Sequence, residues 1–397
     1  METLAIHGGT PVRKDKIFYG HQYIDEADMN AVLNVMRSDF LTCGPEIEKL
    51  ERKLCKFTGA KYAVVVSNGT AALHAACYAA GVSDNDEVIT TPITFAASAN
   101  CALYCGAKPV FADIDYDTYN ISPEEIREKV TDRTKVVVAV DYTGQAAALD
   151  DIRAICNKNS IVLIEDAAHS IGTRYKGVPV GKIADMTTFS FHPVKTITGG
   201  EGGAILTDNK DYYQRLLLFR SHGITRNQEL MDEKSEGSWY YQQIDLGYNY
   251  RMTDMQAALI SSQLDKLDMF KRRRKEIVDR YNAAFSDIPE LVIQKEIPES
   301  DTARHLYIAQ FNLEMLNGSR REIFDALSAE NVCCNVHYIP VYYFPYYKSL
   351  GYKKGICPNA EKLYERIISL PLYYSMTDED VESVIAAVKK VINYYKK

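Results

Sequence analysis

Between residues 60 and 210 the chain alternates short, nearly continuous apolar runs with helical patterns, and this alternation leaves few folds open to it. Tyr62 to Ser67, Glu87 to Thr91, Pro109 to Ile114, Lys135 to Tyr142 and Ile161 to Asp166 are rich in Val and other apolar residues, with little in-out alternation. Runs of this kind read as strands buried on both faces. Helical stretches fall between them: Thr70 to Ala80, Ala96 to Tyr104, one opening at Ser122-Pro123-Glu124-Glu125 with a cap and a first-turn proline, and Leu149 to Asn157. The pattern predicts an α/β fold whose central sheet is mostly parallel and covered by helices on both sides. Thr187 to Lys195 and Gly203 to Thr207 are expected to complete that sheet.

Beyond about residue 245 the character changes. A helix with apolar positions at Ile260, Leu264 and Leu267 leads into charged sequence, and strands are expected at His305 to Phe311 and Val332 to His337. Helices are expected at Arg320 to Glu330 and Asp378 to Tyr394, the last capped by Thr377 and apolar at Val381, Val384, Ile385, Val388 and Ile392. The reading is a large domain over 1–245 with its N-terminal segment, and a smaller α+β domain over 246–397.

Composition narrows the function classes. The 397 residues carry a formal net charge of -7, whereas a nucleic-acid partner calls for a basic face. The dense basic run Lys271 to Lys275 reads as the solvated face of a helix. Nine scattered cysteines without a C-x-x-C pair suit a reduced, cytoplasmic protein with no metal site. The N-terminus lacks a basic segment followed by an apolar one, and no run approaches membrane-spanning length, so neither secretion nor insertion is expected.

Ligands of open α/β sheets bind beyond the carboxyl ends of the strands. Four such ends carry chemistry. Ser67-Asn68-Gly69-Thr70 runs into an alanine-rich helix, so Gly69 and Thr70 could hold a phosphate at a helix N-terminus. Phe95, in Thr91-Pro92-Ile93-Thr94-Phe95, could stack on a planar ring. Asp166, in Glu165-Asp166-Ala167-Ala168-His169, could pair with a pyridinium nitrogen and keep it protonated. Ser190 could add a hydroxyl to the phosphate, and Lys195 ends an apolar run. A buried ammonium is costly, so such a lysine shifts its pKa, finds a partner, or forms the imine in which lysine holds pyridoxal phosphate. A lysine snorkelling to water gives the same pattern, and capping or packing explains each of the other residues singly. The four together, in this order, make a coherent cofactor site.

These residues resemble those of the DegT/DnrJ family of pyridoxal-phosphate-dependent sugar aminotransferases. The similarity runs through Leu41-Thr42-Cys43-Gly44-Pro45, Ser67 to Thr70, Thr90 to Phe95, Glu165 to His169, Phe189 to Lys195, Gly200 to Gly203 and Gly247-Tyr248-Asn249-Tyr250-Arg251. It implies the fold type I architecture of such transferases. Lys195 would hold the cofactor covalently, Asp166 would pair with its ring nitrogen, Phe95 and His169 would flank the ring, and Gly69, Thr70 and Ser190 would bind its phosphate. It also implies a homodimer with two shared active sites, in which Asn249 reaches the neighbouring subunit's phosphate. Retention of Lys195, where some relatives carry histidine, argues for transamination over dehydration. Thr90 to Asn100, Leu217 to Ile224 and Val336 to Val341 are most similar to the branch that aminates C4 in pseudaminic acid biosynthesis. The expected reaction moves an amino group from glutamate to a UDP-linked 4-keto-6-deoxy-N-acetylhexosamine. Thr42, Arg220, His222, Arg226, His337 and Tyr338 are candidates for substrate contact. Cys43, where glutamine is common, and Gly199, where threonine usually precedes the second glycine, depart from the pattern. The alternatives are another UDP-, dTDP- or GDP-linked 3- or 4-keto sugar as acceptor, or a regulator that binds the cofactor without catalysis.

Overall fold

The computed structural model describes residues 2–397. Two helices, α1 (Glu26–Met36) and α2 (Pro45–Thr58), precede the sheet. The chain then alternates: β1 (Tyr62–Val66), α3 (Gly69–Ala79), β2 (Glu87–Thr90), α4 (Ala97–Tyr104), β3 (Lys108–Phe111), α5 (Pro123–Lys129), β4 (Thr134–Val140), α6 (Leu149–Asn159) and β5 (Val162–Asp166). A small hairpin follows, β6 (Arg174–Tyr175) and β7 (Val178–Pro179), and then β8 (Met186–Ser190) and β9 (Gly203–Thr207). The seven-stranded sheet has the order β1-β9-β8-β5-β4-β2-β3. All neighbours run parallel except β9, which is antiparallel to both β1 and β8. The carboxyl ends of β1, β2, β4, β5 and β8 therefore share one edge.

Local chemistry sets the element ends. Asn68 caps α3 by accepting from the Ala71 N–H at 2.8 Å, and Ala71, Ala72, Ala75 and Ala76 are buried along it. Their small side chains let the helix lie close on the sheet and bring its N-terminus to the strand ends. The strand expected to run through Lys195 stops at Ser190. Pro193 has no N–H for a ladder, and Lys195 N–H donates to His192 O at 2.9 Å, closing a turn. Lys195 therefore sits on a loop beyond the sheet.

The C-terminal part forms a three-stranded antiparallel sheet of Leu291–Ile293, Tyr307–Phe311 and Ile367–Leu370. The expected strand at Val332 to His337 is absent: Val332 and Asn335 make only isolated bridges, to Ile17 and Ser369. The C-terminal helix, Asp378–Tyr395, carries the expected Thr377 cap within a full capping box.

Packing does not follow the division at 245 and 246. Met252, Ala257, Ile260, Leu264, Leu267 and Phe270 join the core of the large sheet, while Leu4 and Ile17 join that of the small domain. After α7 (Lys210–Arg220), the expected single helix is two, α8 (Asp254–Leu264) and α9 (Leu267–Phe285). α9 contributes to both cores, through Leu267 and Phe270 at its start and Ile277, Val278, Tyr281 and Phe285 further on. The basic run on α9 is only partly solvated. Arg274 is buried and donates to the carbonyls of His305 at 3.2 Å and Leu372 at 2.9 Å. Without a carboxylate beside it, burial pulls its guanidinium down to about 10.

Candidate active site

The strand ends open onto a cavity of about 990 Å³. Gly69, Thr70, Phe95, Asp166, His169, Ser190, Lys195, His337 and Tyr338 all line it. Asp166 lies at the floor, 5% exposed, where Ser98 Oγ donates to its Oδ2 at 2.6 Å and Ala168 N–H to its Oδ1 at 3.2 Å. Thr94 Oγ1 lies 2.7 Å from Ser98 Oγ, so the first turn of α4 orients the carboxylate. Desolvation raises the Asp166 pKa, opposed by Ser98, the Ala168 N–H and the charge of Lys195.

Lys195 is half-buried on its loop. Loss of water around the amine lowers its pKa to about 8, with the Asp166 carboxylate pulling the other way. His169 Nε2 lies 3.1 Å from the Tyr338 hydroxyl, and the two rings stack with centroids 6.1 Å apart. Burial, then Lys195 and His337, hold the His169 imidazole well below the ordinary histidine value, so it is neutral. Burial likewise lowers His337 to about 4. Phe95 is 63% exposed on the cavity rim, its ring centroid 6.5 Å from that of Tyr338.

Pyridoxal phosphate fits these residues. A Cβ added at Gly69 would lie 2.9 Å from Ser190 Cβ and 3.1 Å from its Oγ, so the missing side chain keeps open a niche beside a hydroxyl at a helix N-terminus. His169 Nδ1 is buried without a partner in the same cavity wall. A carboxylate, an anion niche and an amine of lowered pKa thus face one space.

The remaining candidates lie elsewhere. Arg220 is drawn into the structure: its Nη1 donates to Glu51 Oε1 at 2.6 Å and to Val65 O at 2.9 Å. Arg226 packs over the Tyr241 ring, and His222 N–H donates to Tyr248 O at 3.0 Å. Thr42 is exposed and bridges to Thr253, and Asn249 bridges to Ser221. None of these five lines the chain's own cavity. Several lining residues escaped the sequence reading, among them Ser98, Tyr19 and His305. Ser98 had a signal, four residues after Thr94 in the opening turn of a helix. His305 had none; its ring centroid lies 4.5 Å from that of His169.

A profile of the DegT/DnrJ/EryC1/StrS aminotransferase family matches residues 22–389, and the chain belongs to that family. It is a pyridoxal-phosphate-dependent aminotransferase, which removes the non-catalytic alternative. Among curated relatives, the spore coat polysaccharide biosynthesis protein SpsC of Bacillus subtilis is 41% identical over 94% of this chain and 96% of its own. The UDP-4-amino-4,6-dideoxy-N-acetyl-beta-L-altrosamine transaminase of Campylobacter jejuni is 36% identical over 96% of this chain and 99% of its own. Spr1654 of Streptococcus pneumoniae, solved in its PMP form, superposes with a TM-score of 0.89 at 32% identity, covering 95% of this chain and 99% of the other.

Proposed function

We propose that the chain transfers an amino group from glutamate to C4 of a UDP-linked 4-keto-6-deoxy-N-acetylhexosamine. The observation that carries the chemistry is Lys195 facing Asp166 in one cavity, its amine pKa lowered to about 8. The likeness to the Campylobacter transaminase over 96% of the chain supports the acceptor. Gly69, Thr70 and Ser190 would hold the cofactor phosphate, Asp166 would pair with the ring nitrogen, Phe95 and His169 would flank the ring, and Lys195 would form the covalent link. Bound there, pyridoxal phosphate supplies an electron-withdrawing ring that lets an amino group leave one carbon and join another.

The protein's own part is proton handling. Lys195 Nζ, neutral when it acts, takes the proton from the donor's α-carbon and supplies one to C4 of the acceptor. Ser98 keeps the Asp166 carboxylate aimed, and the neutral imidazole of His169 adds no competing positive charge to the cavity. In cofactor-free protein, uptake of pyridoxal phosphate is expected to quicken as pH rises through about 8, because only the neutral amine is nucleophilic. Stopped-flow absorbance checks this. A rise centred near the ordinary lysine value of about 10.4 would contradict it.

A cytoplasmic homodimer completes the reading. Asn249, His222 and Arg226 lie outside their own chain's cavity, and a second copy is the arrangement that gives them a role in the neighbour's site. Met29, Leu33 and Met36 stand at helical spacing on α1 and, with Phe40, Leu41, Trp239 and Leu246, are exposed apolar residues that suit burial in such an interface. Nine free cysteines, with no disulfide among the described residues, suit a reducing compartment.

The test adds glutamate to the enzyme until the cofactor absorbance bleaches, then adds keto sugars singly. Recovery with the UDP-linked L-altrosamine precursor but not its D-gluco-type counterpart is expected. Recovery with another nucleotide-linked keto sugar alone would overturn the acceptor while keeping transamination; SpsC, at 41% identity, makes cell-surface polysaccharide precursors the next to try.

A further inference from the structure

We propose that Tyr19, carried to the cavity by an N-terminal strap, positions the keto sugar; this rests on the sugar-acceptor reading above. The strap is tied down along its length. Ile17 N–H donates to Asn331 O at 2.9 Å, Cys333 N–H to Ile17 O at 2.8 Å and Leu372 N–H to Tyr19 O at 3.1 Å, while Gln263 Nε2 donates to Tyr23 O at 2.9 Å. It passes beside the lysine loop: a Cβ added at Gly20 would lie 3.6 Å from Val194 Cβ. Tyr19 is thus fixed by the small domain and held against the segment that bears Lys195.

Its ring is half-buried and lines the cavity with Asn335, His337 and Tyr338, its centroid 5.3 Å from that of His337. The neighbouring polar groups are already engaged. His337 Nδ1 lies 2.8 Å from Ser369 Oγ, and the Tyr338 hydroxyl pairs with His169 Nε2. The Tyr19 hydroxyl has no hydrogen-bond partner among the described residues, which leaves it free for a ligand. An uncharged phenol on an aromatic wall suits a hydroxyl or acetamido group of a hexose. It suits the two carboxylates of glutamate poorly, since these call for cationic partners.

The two half-reactions separate the roles. In Tyr19→Phe the cofactor spectrum and the glutamate half-reaction are expected to stay within about twofold of wild type, while KM for the keto sugar rises about tenfold, the loss of one hydrogen bond. Tyr19→Ala adds loss of the wall, and its sugar half-reaction is expected to fall further. Wild-type KM in Tyr19→Phe, or equal slowing of both half-reactions, would overturn the proposal. A wild-type enzyme that accepts no keto sugar overturns the acceptor reading and this proposal with it. Wild-type sugar turnover beside an unaffected Tyr19→Phe overturns this proposal alone.

Discussion

Lys195→Ala is expected to abolish turnover, by at least about a thousandfold, while leaving the fold intact. The amine has two duties, covalent attachment of the cofactor and proton transfer, and positioned proton transfer alone is worth roughly 10²–10⁴. What is lost in exchange is the attraction between the amine and the Asp166 carboxylate, set against the desolvation of the ammonium. Lys195 Nζ makes no salt bridge within 4.0 Å among the described residues, and desolvation already penalises its charge. Removing a desolvated ammonium and losing that one attraction should offset each other, leaving the melting temperature of the cofactor-free protein little changed. Steady-state transamination alongside thermal melting checks both halves. Turnover within tenfold of wild type, in protein free of misincorporated lysine, would sink the assignment.

Asp166→Asn is expected to lose most activity even at saturating cofactor. The amide keeps the shape and its one oxygen can still accept from Ser98, so the floor of the cavity should stand; the charge goes, and with it the longer bond from the Ala168 N–H. Breaking a buried charge pair costs about 3–5 kcal/mol, which corresponds to roughly 10²–10⁴ in rate when the interaction acts in the transition state. Burial already raises the Asp166 pKa, so the carboxylate depends on Ser98, the Ala168 N–H and a positive partner to stay ionised. Near wild-type rates in a cofactor-saturated variant would remove Asp166 from the chemistry.

The parts of the site that sequence made legible are those bound to strand ends. Buried parallel strands announce themselves as Val- and Ile-rich runs, and such a sheet brings Asn68, Asp166 and Ser190 to one edge whatever the loops do. Lys195 stands past the strand on a turn at Pro193, so the apolar run that marks it in the sequence is not the element that carries it. The burial of Arg274 does have a signal in the sequence. The residue falls on the apolar stripe of α9, between Phe270 and Ile277, where a solvated residue does not belong. Other features had no local signal. Leu4 and Ile17 sit in short apolar stretches, Leu4-Ala5-Ile6 and Ile17-Phe18, too brief to show a helix or strand period, and their place in the distant C-terminal core follows only from the folded chain. Arg220 meets Glu51 across 169 residues, so an arginine that reads as a free ligand for phosphate is tied to the back of β1.

The sharing of α9 between the two cores constrains how the molecule can move and melt. Its 19 residues form a rod about 28 Å long, one end embedded in each half. Such a rod does not bend like a linker, so the lobes can rock only by sliding side chains around it. A cavity cut into either core loosens the helix that the other core needs, so damage spreads from one lobe to the next. The chain should come apart in a single cooperative step, and a lesion far from the cofactor should register at the lysine loop as lost stability.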